Sequence, residues 1–411
     1  MVRNAALDDW GNYDRDDPFP LFAEVRAQAP VHPVTLADGH RAWLVVRYHE
    51  AKAALNDLRL SKDMQAALAQ RAAVVSEGLP GPSFSRHMLN VDPPNHTRLR
   101  KSVAGAFSQR RIEGLRPRVQ AIVDQLFDRL VALGPGQTVD LVAGFAFPLP
   151  FTVISELLGV PEGDRADLGS RFTTLLAPTA TPEPPAEAVE ASGRIVTYLG
   201  ELLDAKQAEP GDDLVSELGR ATERHERLTR QEMLSTIFQL VVAGHDTTTS
   251  LIGNGTVALL LHPGQRDALA RDPAGIPEAV EEFLRYDAPV PHSTFRYTTE
   301  EVEIGGVVIP AQEQVLISLA SANRDPDRYN EAEALDLSRG DPRHLAFGHG
   351  IHFCLGAPLA RMEGRVAFST MLRRFPAMSL AVEPTELRWA HGDGLVLRGL
   401  SELPVILEPN A

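Results

Sequence analysis

The sequence is nearly without cysteine: Cys354 is the only one in 411 residues. That excludes a disulfide framework within the chain and fits a reducing compartment. Basic residues are also short, with 40 Lys+Arg against 55 Asp+Glu and a formal charge of −15, so the basic footprint of a nucleic-acid binder is missing. No run of about 18 apolar residues occurs, so no membrane span is expected. Met1 to Phe22 holds Asp8, Asp9, Asp14, Asp16 and Asp17 and no apolar core, which argues against a secretory signal peptide. Internal repeats are absent. With 44% apolar residues, the chain has ample material for a core. Its length allows one elaborate domain or two to three simpler ones.

What is present is mostly helical patterning. Asp17 to Pro30 has helical spacing, and two apolar runs, 31–36 and 42–46, flank an Asp-Gly turn as a hairpin would. Helical spacing returns from Tyr48 to Leu58, and residues 60–90 read as irregular. After Asp92-Pro93-Pro94 a helix starts in which His96 and Arg100 share one face. Seven basic residues stand between Arg98 and Arg118 against one acid, Glu113. This is either an anion site or docking surface, or a solvated helix face. Further helices are expected over 119–133 and 151–158. Ala177 to Pro185 is either an interdomain linker or a loop between helices.

Thr229 to Glu232 forms a capping box, and the helical pattern behind it continues to His262-Pro263-Gly264. A helix this long and this apolar is expected to be the buried spine of the fold. Within it, Ala243-Gly244-His245-Asp246-Thr247-Thr248-Thr249 is a poor choice for a helix centre. Such a break of local rules points to a functional site. Ala243 and Gly244 would thin the helix for a flat ligand, and Asp246 could feed protons inward. The alternative is a satisfied core Asp with hydroxyls bonded to the preceding turn. Glu282 and Arg285 can pair on one face of a short helix, 277–286. Strands are expected over 303–310 and 314–319, and a final hairpin over 395–397 and 403–407.

Cys354 lies in Phe347-Gly348-His349-Gly350-Ile351-His352-Phe353-Cys354-Leu355-Gly356, just before a helix opened by Pro358. A thiol there has its thiolate favoured by the helix dipole and free N–H groups. It is either a reactive or metal-bound thiolate or a buried structural cysteine.

Together these stretches resemble the cytochrome P-450 family along essentially the whole chain. The cysteine loop matches Phe-x-x-Gly-x-(Arg/His)-x-Cys-x-Gly at every fixed position. The helix centre matches (Ala/Gly)-Gly-x-(Asp/Glu)-Thr, and Glu282 and Arg285 match Glu-x-x-Arg. The resemblance implies a single domain over residues 1–411, mainly α with small β-sheets. Haem b (iron protoporphyrin IX) would be buried between the long central helix and the cysteine loop. Cys354 would be the thiolate ligand of the iron, where an anionic sulfur favours O–O cleavage. Phe347 would pack near the sulfur, Gly348 and the other loop glycines would admit the haem, and Ala243 and Gly244 would lie against it. His96, Arg100, Arg296 and His352 would hold the propionates. Asp246 and Thr247 would be the acid–alcohol pair feeding protons to the reacting dioxygen. Glu282, Arg285 and Arg339 would form a buried triad, although Leu335 stands where an aromatic residue is common. His245, beside the acid–alcohol pair, would contact substrate or water.

The implied activity is that of a haem-thiolate monooxygenase inserting one oxygen atom from O2 into a small lipophilic substrate. The stretches Val241 to Thr248 and His344 to Arg361 are most similar to actinomycete hydroxylases of macrolides and other polyketides. No flavin or reductase domain is evident, so electrons would come from a ferredoxin and an NAD(P)H-dependent ferredoxin reductase. Docking is expected near Arg110, Arg111, Arg343, Arg361 and Arg365. The chain would be cytoplasmic, with neither nucleic acid nor membrane as partner. A peroxide-driven oxygenase and a non-catalytic haem sensor are the alternatives; the acid–alcohol pair argues against both.

Overall fold

The computed structural model describes residues 16–36, 41–63, 86–134, 136–177, 185–221, 228–341, 343–390 and 397–408. The turn at 37–40 and most of the irregular stretch 60–90, of the proline-rich loop at 177–185 and of the strand expected over 395–397 fall outside these residues. The architecture is mainly helical with small sheets, as the resemblance implies.

The spine is the helix α9, Arg230–Leu261, 32 residues long. Its capping box forms as expected. Thr229 accepts from the Glu232 N–H, and the Glu232 carboxylate accepts from the Thr229 N–H at 2.8 Å. Buried residues occupy most of its circumference from Leu251 to Leu259, which an all-round apolar pattern requires. Around it pack α5 (Pro148–Leu158), α6 (Glu162–Leu176), α7 (Ala186–Ala208), α11 (Ile276–Tyr286) and α13 (Ala357–Arg374). Helix α3 (Asn95–Ala104) carries the His96/Arg100 face. The amphipathic helix expected over 119–133 is longer, α4 (Gln109–Val131), and runs through Pro117.

A five-stranded sheet forms a second layer, in the order β1 (Val31–Thr35), β2 (Arg41–Val45), β8 (Gln314–Ile317), β5 (Arg296–Thr298), β3 (Leu60–Ser61). β1 and β2 pair antiparallel with Val31 opposite Val45, as the alternation predicts, whereas β2 and β8 run parallel. This sheet places Arg296 at the head of β5, buried beside Leu60.

The final hairpin is built differently from the expectation. Pro404–Ile406 pairs with Thr138–Asp140 and Ser379–Leu380, and Gly399–Glu402 pairs with Arg388–Ala390. These partners are remote in sequence, so local patterning could not reveal them. Among the described residues, no helix is long and apolar enough to cross a membrane.

Candidate active site around Cys354

The cysteine loop is a tight turn that ends at the N-terminus of α13. Gly348 and Gly350 both have left-handed backbone, φ +70° and +74°. The Cys354 N–H donates to the Phe347 carbonyl at 2.9 Å, and the Gly348 N–H donates to Leu345 at 2.7 Å. The N–H groups of Gly356 and Ala357, at the start of α13, point at the sulfur. Cys354 is deep in the fold, yet its own surface is open, so it faces an interior space. Burial pushes its thiol up, and the two N–H groups with Arg100 and Arg361 oppose that push.

Gly350 has no room for a side chain: a Cβ would lie 2.8 Å from Asn56 Oδ1 and 3.0 Å from the Leu55 carbonyl. Gly350→Ala is therefore expected to destabilise the loop by roughly 1–3 kcal/mol through its strained φ, with more from the clash. Thermal unfolding checks this; an unchanged midpoint would contradict it.

Four of the expected cationic residues converge on one side of the loop. The His96 and His352 rings are 4.4 Å apart, and Arg100 donates to the Phe353 carbonyl at 2.8 Å. Arg296 reaches only the Leu60 carbonyl, at 3.3 Å, and its Nε is buried without a partner. Both ring nitrogens of His96 are in the same condition, although the Ile351 backbone approaches without closing a bond of good geometry. Lys62, which sequence reasoning missed, joins them, with Nζ donating to the Thr294 and Phe295 carbonyls at 3.1 and 2.8 Å. Burial brings Arg296 down to about 10. Burial and then the neighbouring Arg296, His96, Lys62 and Arg100 bring His352 down to about 2. The acid nearest to balance the cluster is Asp92, itself held by Ser61 and the Lys62 N–H. The cluster is thus short of negative charge, and its unmet donors suit a ligand bearing carboxylates.

Four of the other basic residues of the 98–118 stretch are held in ion pairs within the fold. Arg98 pairs with Glu232, Arg111 with Glu217, Arg116 with Glu113 and Arg118 with Glu156. Only the His96/Arg100 face belongs to the site.

On the spine, Ala243 is exposed near the middle of the helix, between the buried Val241 and His245. Thr247 is one turn on, and its hydroxyl donates to the Ala243 carbonyl at 2.9 Å. Thr249 and Ser250 donate likewise to His245 and Asp246 at 3.0 and 2.9 Å. The helix runs on without a break, so the local rule-breaking is absorbed by hydroxyl back-bonding. At Gly244 a Cβ would meet Ile154 Cγ1 at 2.8 Å. Its smallness lets α9 approach α5, while Ala243 opens on the site. His245 departs from expectation. It is fully buried and touches neither surface nor open space. A further group was missed: Glu363 on α13, wholly buried beside Thr248, whose carboxyl burial pushes up to about 8.

Beneath the loop, Glu282 and Arg285 form a buried bidentate pair at 2.7 and 2.8 Å. Arg285 also donates to the carbonyls of Asn323, Ala332 and Ala334, and Arg339 Nε reaches Glu282 at 3.2 Å. Leu335 in place of an aromatic residue leaves this triad intact. Arg361, also expected on a docking face, binds Glu281 through two bonds of 2.7 Å and lies over the Phe347 ring. Burial alone would raise the Glu281 carboxyl, but hydrogen bonds from His344 and Arg361 bring it to about 2.

This arrangement can be set beside known proteins. The family model described as Cytochrome P450 matches residues 276–395. "Cytochrome P450 107B1" of Saccharopolyspora erythraea is 46% identical over 405 residues, 97% of this chain and 96% of that protein. The chain belongs to the cytochrome P450 family. The "6-deoxyerythronolide B hydroxylase" of the same organism is 43% identical, covering 95% of this chain and 96% of its own length. The "tirandamycin C-bound P450 monooxygenase TamI" superposes with a TM-score of 0.86 at 42% identity, over 95% of this chain and 98% of that one.

The chain is accordingly a P450 monooxygenase, homologous to macrolide and polyketide hydroxylases. The family carries a haem, and the residues present fit one. An open-faced thiol with two N–H groups at its sulfur stands beside a buried cation cluster with orphaned donors. A soft sulfur donor and carboxylate-seeking cations are the chemistry that an iron porphyrin with propionates requires.

Proposed function

We propose that this P450 binds haem b through Cys354 and oxidises a lipophilic substrate of the macrolide or polyketide type. The observation that carries the reading is the open sulfur at the N-terminus of α13, with the cation cluster of His96, Arg100, Arg296 and His352 beside its loop. The haem, when bound, supplies the iron at which O2 is activated with two electrons and two protons, one oxygen atom entering a C–H bond or a double bond of the substrate.

The chain's own residues set the conditions for that chemistry. Cys354 donates as a thiolate whose charge is moderated by the N–H groups of Gly356 and Ala357. His96, Arg100, Arg296 and His352 hold the propionates, with Lys62 adding positive charge behind them. Phe347 closes the loop through its carbonyl bond to the Cys354 N–H and packs its ring between Phe353 and Arg361. Ala243 gives a flat ligand access to the spine. Asp246 moves a proton from its carboxyl to water ordered at the Thr247 hydroxyl. One domain carries all of these groups.

Electrons arrive from a ferredoxin served by an NAD(P)H-dependent reductase, in the cytoplasm. Of the arginines expected to meet that partner, Arg110 and Arg343 are exposed and Arg111, Arg361 and Arg365 partly so; Arg343 is paired with Asp341, Arg111 with Glu217 and Arg361 with Glu281. The acid–alcohol pair favours O2 with external electrons over a peroxide-driven route.

Substrate class is tested by titrating the haem-loaded protein with 6-deoxyerythronolide B and other polyketide lactones. A low-spin to high-spin shift of the haem band at micromolar ligand is expected from at least one. A shift only with small polar compounds would contradict the reading.

A further inference from the structure

The ring of His245 lies in a box of aromatic side chains. Phe147 and Phe151 have ring centroids 5.5 and 5.3 Å from it, and Phe172 is 6.0 Å away. All three stand nearly perpendicular to the imidazole, at 87°, 88° and 70°. Two polar contacts complete the surroundings. Nδ1 is 2.6 Å from the Val241 carbonyl, and Nε2 is 3.1 Å from Asp246 Oδ1.

The first contact fixes the tautomer. A carbonyl oxygen can only accept, so Nδ1 carries a hydrogen. Nε2 of a neutral ring is then a bare lone pair, and it faces a carboxylate oxygen. Two electron-rich atoms at that distance repel, and the imidazole has no solvent contact of its own to screen them. One additional proton, on Nε2 or on Asp246, removes the repulsion. Nε2 is buried and lies off the line of a closed hydrogen bond, so the contact is one of charge. Among the described residues no Lys or Arg lies within ion-pair distance of Asp246, and His245 is its basic neighbour. Asp246 itself is partly open, its side chain 23% exposed.

We propose that His245 and Asp246 share one proton as a dyad, and that His245 is the positioning residue that keeps this proton available for transfer at Thr247. When Asp246 passes the proton to water at the Thr247 hydroxyl, the pair is left as neutral imidazole against carboxylate. Its repulsion draws a replacement proton from solvent through the open edge of Asp246. One proton leaves and one enters, and no electron moves. Other charged groups on the packing elements are engaged elsewhere: Glu156 with Arg118 and Arg165, Asp167 with Arg171, Asp164 with Tyr198. Glu363 on α13 faces Thr248 and not the imidazole.

The inference rests on the acid–alcohol reading proposed above, and two measurements separate their failures. The first is NMR of 15N/13C-labelled haem-loaded protein in the ferrous carbon monoxide form at neutral pH, which needs no substrate. It should show His245 Nδ1 protonated together with either a protonated Nε2 or a protonated Asp246 carboxyl. A bare Nδ1, or a bare Nε2 beside an ionised Asp246, would overturn the dyad. The second is turnover with surrogate ferredoxin, ferredoxin reductase and NADPH, with 6-deoxyerythronolide B as probe. His245→Phe fills the box, and His245→Asn is the fallback if that variant folds poorly. Both should keep haem content and first-electron reduction while product per NADPH falls about tenfold or more, the scale of a lost proton-transfer group. The wild-type pH dependence of coupling should also flatten. Wild-type coupling and pH profile in both variants would overturn the role. Absence of any wild-type turnover would count against the substrate or redox reading, and the NMR result would still decide the dyad.

Discussion

Arg285→Met is expected to leave little folded, haem-loaded protein. The substitution removes the bidentate partner of the Glu282 carboxylate, which is 2% exposed and keeps Arg339 Nε and the Asp336 N–H, and takes a donor from the carbonyls of Asn323, Ala332 and Ala334. Breaking a buried pair from one side destabilises by about 3–5 kcal/mol. Against a total stability on the order of 5–15 kcal/mol, that is a large share. Lysine should not rescue it, because one ammonium cannot reproduce a bidentate fork that also serves three carbonyls. Thermal unfolding and haem content of the purified variant check the claim. A melting temperature within a few degrees of wild type, with full haem, would contradict it.

Asp246→Asn is expected to slow product formation by about 10²-fold or more, the usual worth of a positioned general acid, while leaving substrate binding nearly unchanged. The side chain keeps its shape and loses its transferable proton. Thr247→Ala should act differently. It frees the Ala243 carbonyl and removes the hydroxyl that would order water, so NADPH oxidation continues while electrons are lost as peroxide. Product, peroxide and NADPH measured together separate the two. Equal coupling in wild type and both variants would remove Asp246 and Thr247 from proton delivery.

The residues that were legible in the sequence are those whose chemistry is local. Cys354 and its glycines, the capping box at Thr229, and Glu282 with Arg285 announce themselves because the atoms that interact are a few positions apart. The β1–β2 pair was legible for the same reason. Reading failed wherever the deciding neighbour lies far along the chain. That Ile154 lies against Gly244 cannot be read locally. Nor can the ion pair of Arg361, whose partner Glu281 is eighty residues away. Lys62 and Asp92 join the cation cluster only through the packing of β3 against β5. Pro404–Ile406 finds its partners at 138–140 and 379–380, which no periodicity encodes. His245 was expected to meet substrate or water because a polar residue beside an acid suggests exposure. Three phenylalanines from α5 and α6 and the residue preceding α5 enclose it instead.

The exposed thiol and the orphaned cations are features that a core built only for stability would not retain. They make the protein's central region a built receptor for one kind of group, with the sulfur as its fixed point. The most direct test is the absorption spectrum of the reduced, carbon-monoxide-treated protein and of its Cys354→His variant. The account predicts the long-wavelength band diagnostic of a thiolate ligand in the wild type, and its replacement by a shorter-wavelength band in the variant. A wild-type protein that binds haem yet shows only the shorter-wavelength band would contradict it.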